Sequence, residues 1–137
     1  MDRLWCHNDL MALFRRRKKN EIDLDSRSPQ LGLKYKDVLV LEQLVKAGAD
    51  VTQPRHVLHY LYLPDQERAG LAAEEAASAG FEVTVREPLP QYPEQWTVVC
   101  ERHDVVLQLE AVRDTTDYFE TLAGSHGGDY DGWEASV

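Results

Sequence analysis

Near the C-terminal end the chain reads Gly127-Gly128-Asp129-Tyr130-Asp131-Gly132-Trp133-Glu134, and this stretch is the most informative one for the fold. The two adjacent glycines end the helical pattern before them, because glycine is the preferred residue just past a helix. Tyr130 and Trp133 then bracket an Asp-Gly step, which predicts a strand with a bend or a bulge. The stretch contains no nucleophile, phosphate loop or metal-ligand cluster, so it favours packing or contact with a partner.

Upstream of this stretch, apolar periodicity and turn residues predict the order of the elements. The predicted elements are a helix at 37–47, a strand at 57–63, a helix between an Asp65 cap and Gly80, strands at 81–86 and 96–102, a helix from an Asp104 cap through 123, and a strand at 129–136. After the first helix the order is βαββαβ. This order predicts an α+β, ferredoxin-like sandwich, in which a four-stranded antiparallel sheet carries two helices on one face. The extra first helix either covers the other sheet face or leaves it open.

Charge divides the chain into two parts. Residues 1–36 hold nine Lys/Arg and five Asp/Glu, whereas residues 37–137 hold six Lys/Arg and nineteen Asp/Glu, a net charge of −13. We therefore expect a basic, flexible N-terminal arm over 1–36 and an acidic domain over 37–137. An acidic domain repels phosphate backbones, which disfavours direct binding of nucleic acid and suits a partner protein with basic patches.

Other sequence signals favour a reducing compartment. Cys6 and Cys100 lie far apart and form neither a CxxC motif nor a zinc spacing. No apolar run reaches the roughly 18 residues of a membrane span, and the charges of 15–19 follow the apolar residues, the reverse of a secretory signal. We expect a cytoplasmic protein.

The sequence signals for catalysis and for metal binding are weak. His56 and His59 are three residues apart on a predicted strand, so they point to opposite faces and cannot bind one metal together. Asp129 and Asp131 share a strand face, but no nucleophile or metal ligand accompanies them. We therefore predict no catalytic residue, no metal and no cofactor, and a protein that is not an enzyme.

Aromatic side chains remain as candidates for binding. Tyr60 and Tyr62 project to one face of the predicted sheet, with Tyr130 as a further candidate from the last strand. RNA-recognition modules stack bases on aromatics of a similar βαββαβ sheet, although they also need nearby cations. Trp133 has two interpretations, because it either anchors the last strand against the helices or lies exposed as a binding hot spot.

At these residues the sequence resembles the RraB family, the protein regulators of ribonuclease E activity. The resemblance is carried by the glycine pair followed by Tyr130-Asp131-Gly132-Trp133, by the aromatic strand His59 to Asp65 that ends in Pro-Asp, and by Gly80-Phe81-Glu82-Val83. It covers residues 37–137, and it implies a ferredoxin-like fold, no catalysis, and binding to ribonuclease E that reduces its cleavage of RNA. The basic arm differs from the acidic N-terminal region of the family.

Charge and resemblance together favour a non-enzymatic regulator whose acidic domain docks on a basic, Arg-rich segment of a ribonuclease E-type protein. The candidate partner-binding residues are Tyr60, Tyr62, Tyr130, Asp131, Gly132 and Trp133. Two alternatives stay open. One is an RNA-binding module that uses the basic arm and the tyrosine-bearing sheet, and the other is a small-molecule or immunity-type binding domain on the same fold.

Overall fold

The computed structural model describes residues 3–5 and 23–137, which form five strands and three helices. The strands are β1 (Arg3–Trp5), β2 (Arg55–Leu63), β3 (Glu82–Arg86), β4 (Trp96–Val105) and β5 (Asp129–Ser136), and the helices are α1 (Tyr35–Lys46), α2 (Gln66–Ser78) and α3 (Leu109–Ser125). None of these helices combines the length and the apolar composition that crossing a membrane requires.

The strands form one antiparallel sheet in the order β1-β5-β2-β4-β3. Strand β2 is central, and its His59 lies opposite Cys100 of β4 on one side and Trp133 of β5 on the other. The strands of the βαββαβ unit lie side by side in the order β5-β2-β4-β3. The last strand of the unit is therefore next to the first, which is the ferredoxin-like order. The predicted α+β fold class is therefore confirmed, and β1 adds a fifth strand at the edge beside β5.

The three helices pack on the same face of the sheet. Helix α2 presents Ala69, Ala72 and Ala76, all fully buried, so that its backbone approaches the sheet closely, as the small-residue pattern predicts. Helices α1 and α3 contribute larger side chains to the same hydrophobic core, which also includes Leu61 and Trp133 of the sheet; the helical contributors include Val40, Leu44, Val112, Phe119, Leu122 and Ala123.

The position of α1 rules out one of the two alternatives left by the sequence. Its buried residues Val40 and Leu44 belong to the core shared with α2 and α3, so α1 does not lie on the face that carries Tyr60. On that opposite face Leu58, Tyr60 and Val99 form a second, smaller cluster, and none of the three described helices contributes a residue to it. The alternative in which the first helix covers the sheet face of Tyr60 and Tyr62 is therefore wrong.

The helix termini match the sequence signals in part. The Asp65 carboxylate accepts a hydrogen bond from the Arg68 backbone N–H at 2.8 Å, so the predicted cap of α2 is confirmed. Asp104, predicted to cap the third helix, instead lies within β4. The prediction fails because β4 continues until Val105 pairs with Arg55, and α3 begins only after Gln108.

Residues assigned to the basic arm take part in this architecture where the structure describes them. Leu33 is fully buried in the core. The backbones of Arg27 and Lys34 pair in an isolated antiparallel β-bridge. Their side chains also make ion pairs with Asp117 and Glu120 of α3. These cations therefore neutralise part of the acidic surface of α3. The basic block at 15–19 lies outside the described residues.

Gly128 lies just after the end of α3, where the chain passes close to β2. A Cβ atom at Gly128 would lie 2.1 Å from the Tyr62 carbonyl oxygen and 2.6 Å from Leu63 Cδ1. Neither distance is compatible with a side chain, because the nearer atom belongs to the backbone of the central strand. The glycine pair thus ends the helix and also permits close contact with β2.

We expect Gly128→Ala to lower the free energy of unfolding by about 1–3 kcal/mol, as overpacking does elsewhere. Gly70→Ala is the matched control, because a Cβ at this position of α2 would have no neighbour within 4 Å. The control should be neutral or stabilise the helix by up to about 1 kcal/mol. Urea denaturation of both variants checks this, and equal stabilities would contradict the close contact at Gly128.

Candidate partner-binding surface

The Asp131-Gly132 step forms a bulge in β5. Tyr60 lies opposite Gly132, and Leu61 lies opposite Tyr130, so Asp131 is the extra residue of the pair. Gly132 has a φ of 105°, a conformation that other residues rarely adopt. Because of the extra residue, Tyr130 and Trp133 both point toward the helices although they are three positions apart. The predicted bulge is confirmed, and its consequence is that both aromatic residues enter the core.

Trp133 anchors β5 to two helices through a buried carboxylate. Its side chain is 2% exposed, and the indole Nε1–H donates to Asp37 Oδ1 of α1 at 2.8 Å. The Thr116 hydroxyl of α3 donates to the other Asp37 oxygen at 2.7 Å. Burial raises the pKa of Asp37, and these two hydrogen bonds and the nearby lysines oppose that rise. The interpretation of Trp133 as an anchor is thus the one that the geometry supports.

Tyr130 joins an aromatic cluster around His59 on the same face. The Tyr130 hydroxyl lies 2.8 Å from His59 Nδ1, and the His59 ring stacks on Phe119 with 4.3 Å between centroids. Burial, with the Arg102 charge second, lowers the pKa of His59 to about 3. His59 is therefore neutral at physiological pH, and its surroundings are those of a packed core residue.

Tyr60 points to the opposite face and is also inaccessible. It is 5% exposed, and its hydroxyl donates to Glu134 Oε1 at 2.7 Å, where Glu134 is itself fully buried. Four of the six predicted partner-binding residues are therefore buried: Tyr60, Tyr130, Gly132 and Trp133. Tyr62 and Asp131 are partly accessible, so a partner can reach these two directly.

Tyr62 lines a surface groove that also includes residues of the β3–β4 connection. The groove is formed by Tyr62, Glu87, Leu89, Tyr92, Gln95 and Thr97, and we call it the Tyr62 groove. Leu89 and Tyr92 are 60% and 58% exposed. The Tyr62 hydroxyl hydrogen-bonds to the Asp131 carboxylate, and burial, with the Asp131 charge second, raises the pKa of Tyr62 to about 12.

The border of the Tyr62 groove is acidic. Glu87 lines the groove, Glu94 lies in the same connection, and Asp129 is the strand neighbour of Tyr62. Together with Asp131 they outweigh the nearby Arg86 guanidinium. Exposed aromatic and aliphatic side chains ringed by carboxylates suit a cationic ligand, because an arginine or lysine can stack on tyrosine and pair with the rim.

Leu89 and Tyr92 were not among the predicted binding residues. They lie between Pro88, Pro90 and Pro93, where the sequence indicates a loop without periodicity. Two large apolar residues in a proline-rich connection are a usable signal, since such loops lie on the surface. The core of the described residues offers no comparable site, because the cavity among Val57, Val112 and Trp133 has a volume of about 30 Å³. This volume accommodates only one or two waters, which argues against a buried small-molecule site there.

Comparisons with known proteins place the sequence in a family. The model of the family described as "Regulator of ribonuclease activity B" matches residues 36–135. A Salmonella typhi protein named Regulator of ribonuclease activity B is 32% identical over 97 residues, which cover 69% of this chain and 70% of that protein. The Escherichia coli (strain K12) protein of the same name is 29% identical over 96 residues, again 69% and 70% of the two chains.

We expect Asp37→Ala to lower the free energy of unfolding by about 2–4 kcal/mol, because it leaves two buried donors, on Trp133 and Thr116, without an acceptor. Asp37→Asn keeps an acceptor for Trp133 and removes the buried charge, so its cost should be much smaller. Urea denaturation at neutral pH compares the two variants. Equal losses would contradict the acceptor role of Asp37.

Comparison of the wild type with Asp37→Asn gives a pH test. The folded protein holds a proton on Asp37 at pH values where the unfolded chain, with a pKa near 3.8, has lost it. This contribution to stability is present below pH 3.8 and is lost as the pH rises through the folded pKa. The stability of the wild type relative to Asp37→Asn should therefore increase as the pH falls toward 3.8. A pH-independent difference would show that burial does not shift this carboxyl.

Proposed function

Because the chain belongs to the RraB family of regulators of ribonuclease activity, we propose that it binds a ribonuclease E-type endoribonuclease and reduces its cleavage of RNA without any catalysis of its own. The observation that carries the proposal is family membership combined with an acidic body, −13 over residues 37–137. A cytoplasmic location, where such a nuclease meets RNA, follows from the proposal.

Docking is electrostatic and uses a basic, Arg-rich segment of the nuclease. Support comes from the charge of the body and from the Tyr62 groove, where exposed Leu89 and Tyr92 lie within an acidic border. Each exposed ion pair contributes only about 0.2–1 kcal/mol, and salt screens such pairs over about 8 Å at physiological ionic strength. The apolar contacts of the groove therefore have to supply much of the affinity, and the rim carboxylates supply the preference for cations.

The geometry gives less support to base stacking on the sheet. Stacking on Tyr60 would require the ring to be accessible, but it is 5% exposed and its hydroxyl is bound to Glu134. Tyr62 alone is a small platform, and the carboxylates around it repel phosphates. An RNA-binding role would then depend on the basic block at 15–19, which a charge-neutralised variant tests.

We expect Leu89→Ala/Tyr92→Ala to weaken inhibition of RNA cleavage by a purified ribonuclease E-type enzyme on the order of tenfold or more, as removal of interface anchors does. Leu71→Ala/Leu109→Ala is the matched control, because it removes two large apolar side chains of 46% and 45% exposure on the helical side. The control should inhibit like the wild type. Both variants should keep the wild-type unfolding transition, since the removed side chains are exposed.

Raising the salt concentration should weaken inhibition by the wild type, and replacing 15–19 by glutamine should leave it intact. If the glutamine variant loses both inhibition and a gel shift with RNA while the groove variant keeps them, the RNA-binding alternative replaces docking. Absence of any inhibition by the wild type at low salt would contradict the proposed function itself.

A further inference from the structure

Two histidines and a glutamate meet on the sheet face opposite the helices, at the end of β2 and β4. A bulge between the pairs Arg55–Val105 and Val57–Arg102 brings His56 and His103 side by side. Their rings stack with 4.2 Å between centroids and 13° between planes. Glu101, opposite Leu58, projects from the same face beside them. Sequence spacing does not reveal this group, because its members come from two strands.

The ligand atoms of this group converge. Glu101 Oε2 lies 2.6 Å from His56 Nε2 and 4.0 Å from His103 Nε2, and the three ligand atoms all lie within 4.8 Å of one another. Ligands at about 2.0–2.1 Å from a tetrahedral zinc ion are roughly 3.3 Å apart. A three-ligand site therefore requires shifts of about an ångström together with a turn of the His103 ring out of the stack. His103 is 58% exposed and has room to move.

The chemistry of the donors selects the ion. Imidazole with one carboxylate suits Zn²⁺ and its neighbours in the first transition row, whereas Mg²⁺ and Ca²⁺ prefer oxygen ligands alone. Glu82 adds negative charge at the site, since its Oε2 lies 2.9 Å from His103 Nε2. The lone pair of each imidazole nitrogen lies in the plane of its ring, so one ion binds both histidines only when the stacked rings turn toward it.

We propose that His56, Glu101 and His103 bind one zinc ion, with water completing the coordination. The bound ion cross-links β2 to β4 at the end of the sheet away from the Tyr62 groove. The proposal is independent of ribonuclease binding, because it involves neither the groove nor its acidic border. The expectation that His56 and His59 do not share a metal still holds, since His59 points to the helices.

Isothermal titration of the metal-free full chain with zinc chloride should show one equivalent bound. His56→Ala/His103→Ala should weaken that binding by at least about tenfold. His126→Ala is the matched control, because His126 Nε2 contacts a single glutamate, Glu75, at 2.9 Å, and His126 is not part of the group formed by His56, Glu101 and His103. The control should bind zinc like the wild type.

Imidazole nitrogen shifts in NMR spectra provide a second measurement that does not depend on a substitution. Zinc should shift the resonances of His56 and His103 and leave those of His126 unchanged. The proposal would be overturned if His56→Ala/His103→Ala still bound one equivalent of zinc, or if zinc shifted only the resonances of other histidines. Loss of inhibition in the ribonuclease assay would not bear on it, since that assay reports the other end of the sheet.

Discussion

The extra residue that Asp131 and Gly132 introduce into β5 is the constraint on which the rest of the structure depends. In a regular strand, residues three positions apart project to opposite faces, so Tyr130 and Trp133 could not both enter one core. The bulge directs both aromatic side chains toward the helices, and the φ of 105° at Gly132 makes the bulge possible. Tyr130 then reaches His59, and Trp133 reaches Asp37 and so α1. A single local irregularity thus connects the last strand to the central strand and to the first helix.

The polar groups that this arrangement buries serve the fold. Asp37 accepts hydrogen bonds from β5 and α3 at once, so the first helix is tied to the last strand and the last helix of the βαββαβ unit. His59 is neutral and stacked on Phe119. Packing therefore explains the burial of Asp37 and His59, and the surface carries the features that suit a partner. The acidic border of the Tyr62 groove and the histidine pair at 56 and 103 lie at opposite ends of β2.

Sequence patterns predicted the order of elements well because periodicity and glycine positions are local. Such local patterns predicted the strand at 129–136, the Asp65 cap and the bulge. The third helix was predicted to start too early, because Asp104 has the chemistry of a cap but the pairing of Val105 with Arg55 extends β4. The face occupied by α1 was not readable, since its amphipathic pattern fits either side of the sheet. His103 joined His56 only through the register of two strands, which no spacing in the sequence encodes.

The most direct test of the central claim, that the acidic Tyr62 groove docks a cationic segment of the nuclease, is an NMR titration. The ¹⁵N-labelled full chain is titrated with the basic, Arg-rich region of a ribonuclease E-type protein at low salt. The account predicts saturable shifts of the Glu87, Leu89 and Tyr92 amides, with amides of exposed α2 residues such as Leu71 unchanged. Shifts confined to the helical side, or no shifts at saturating concentration, would contradict it.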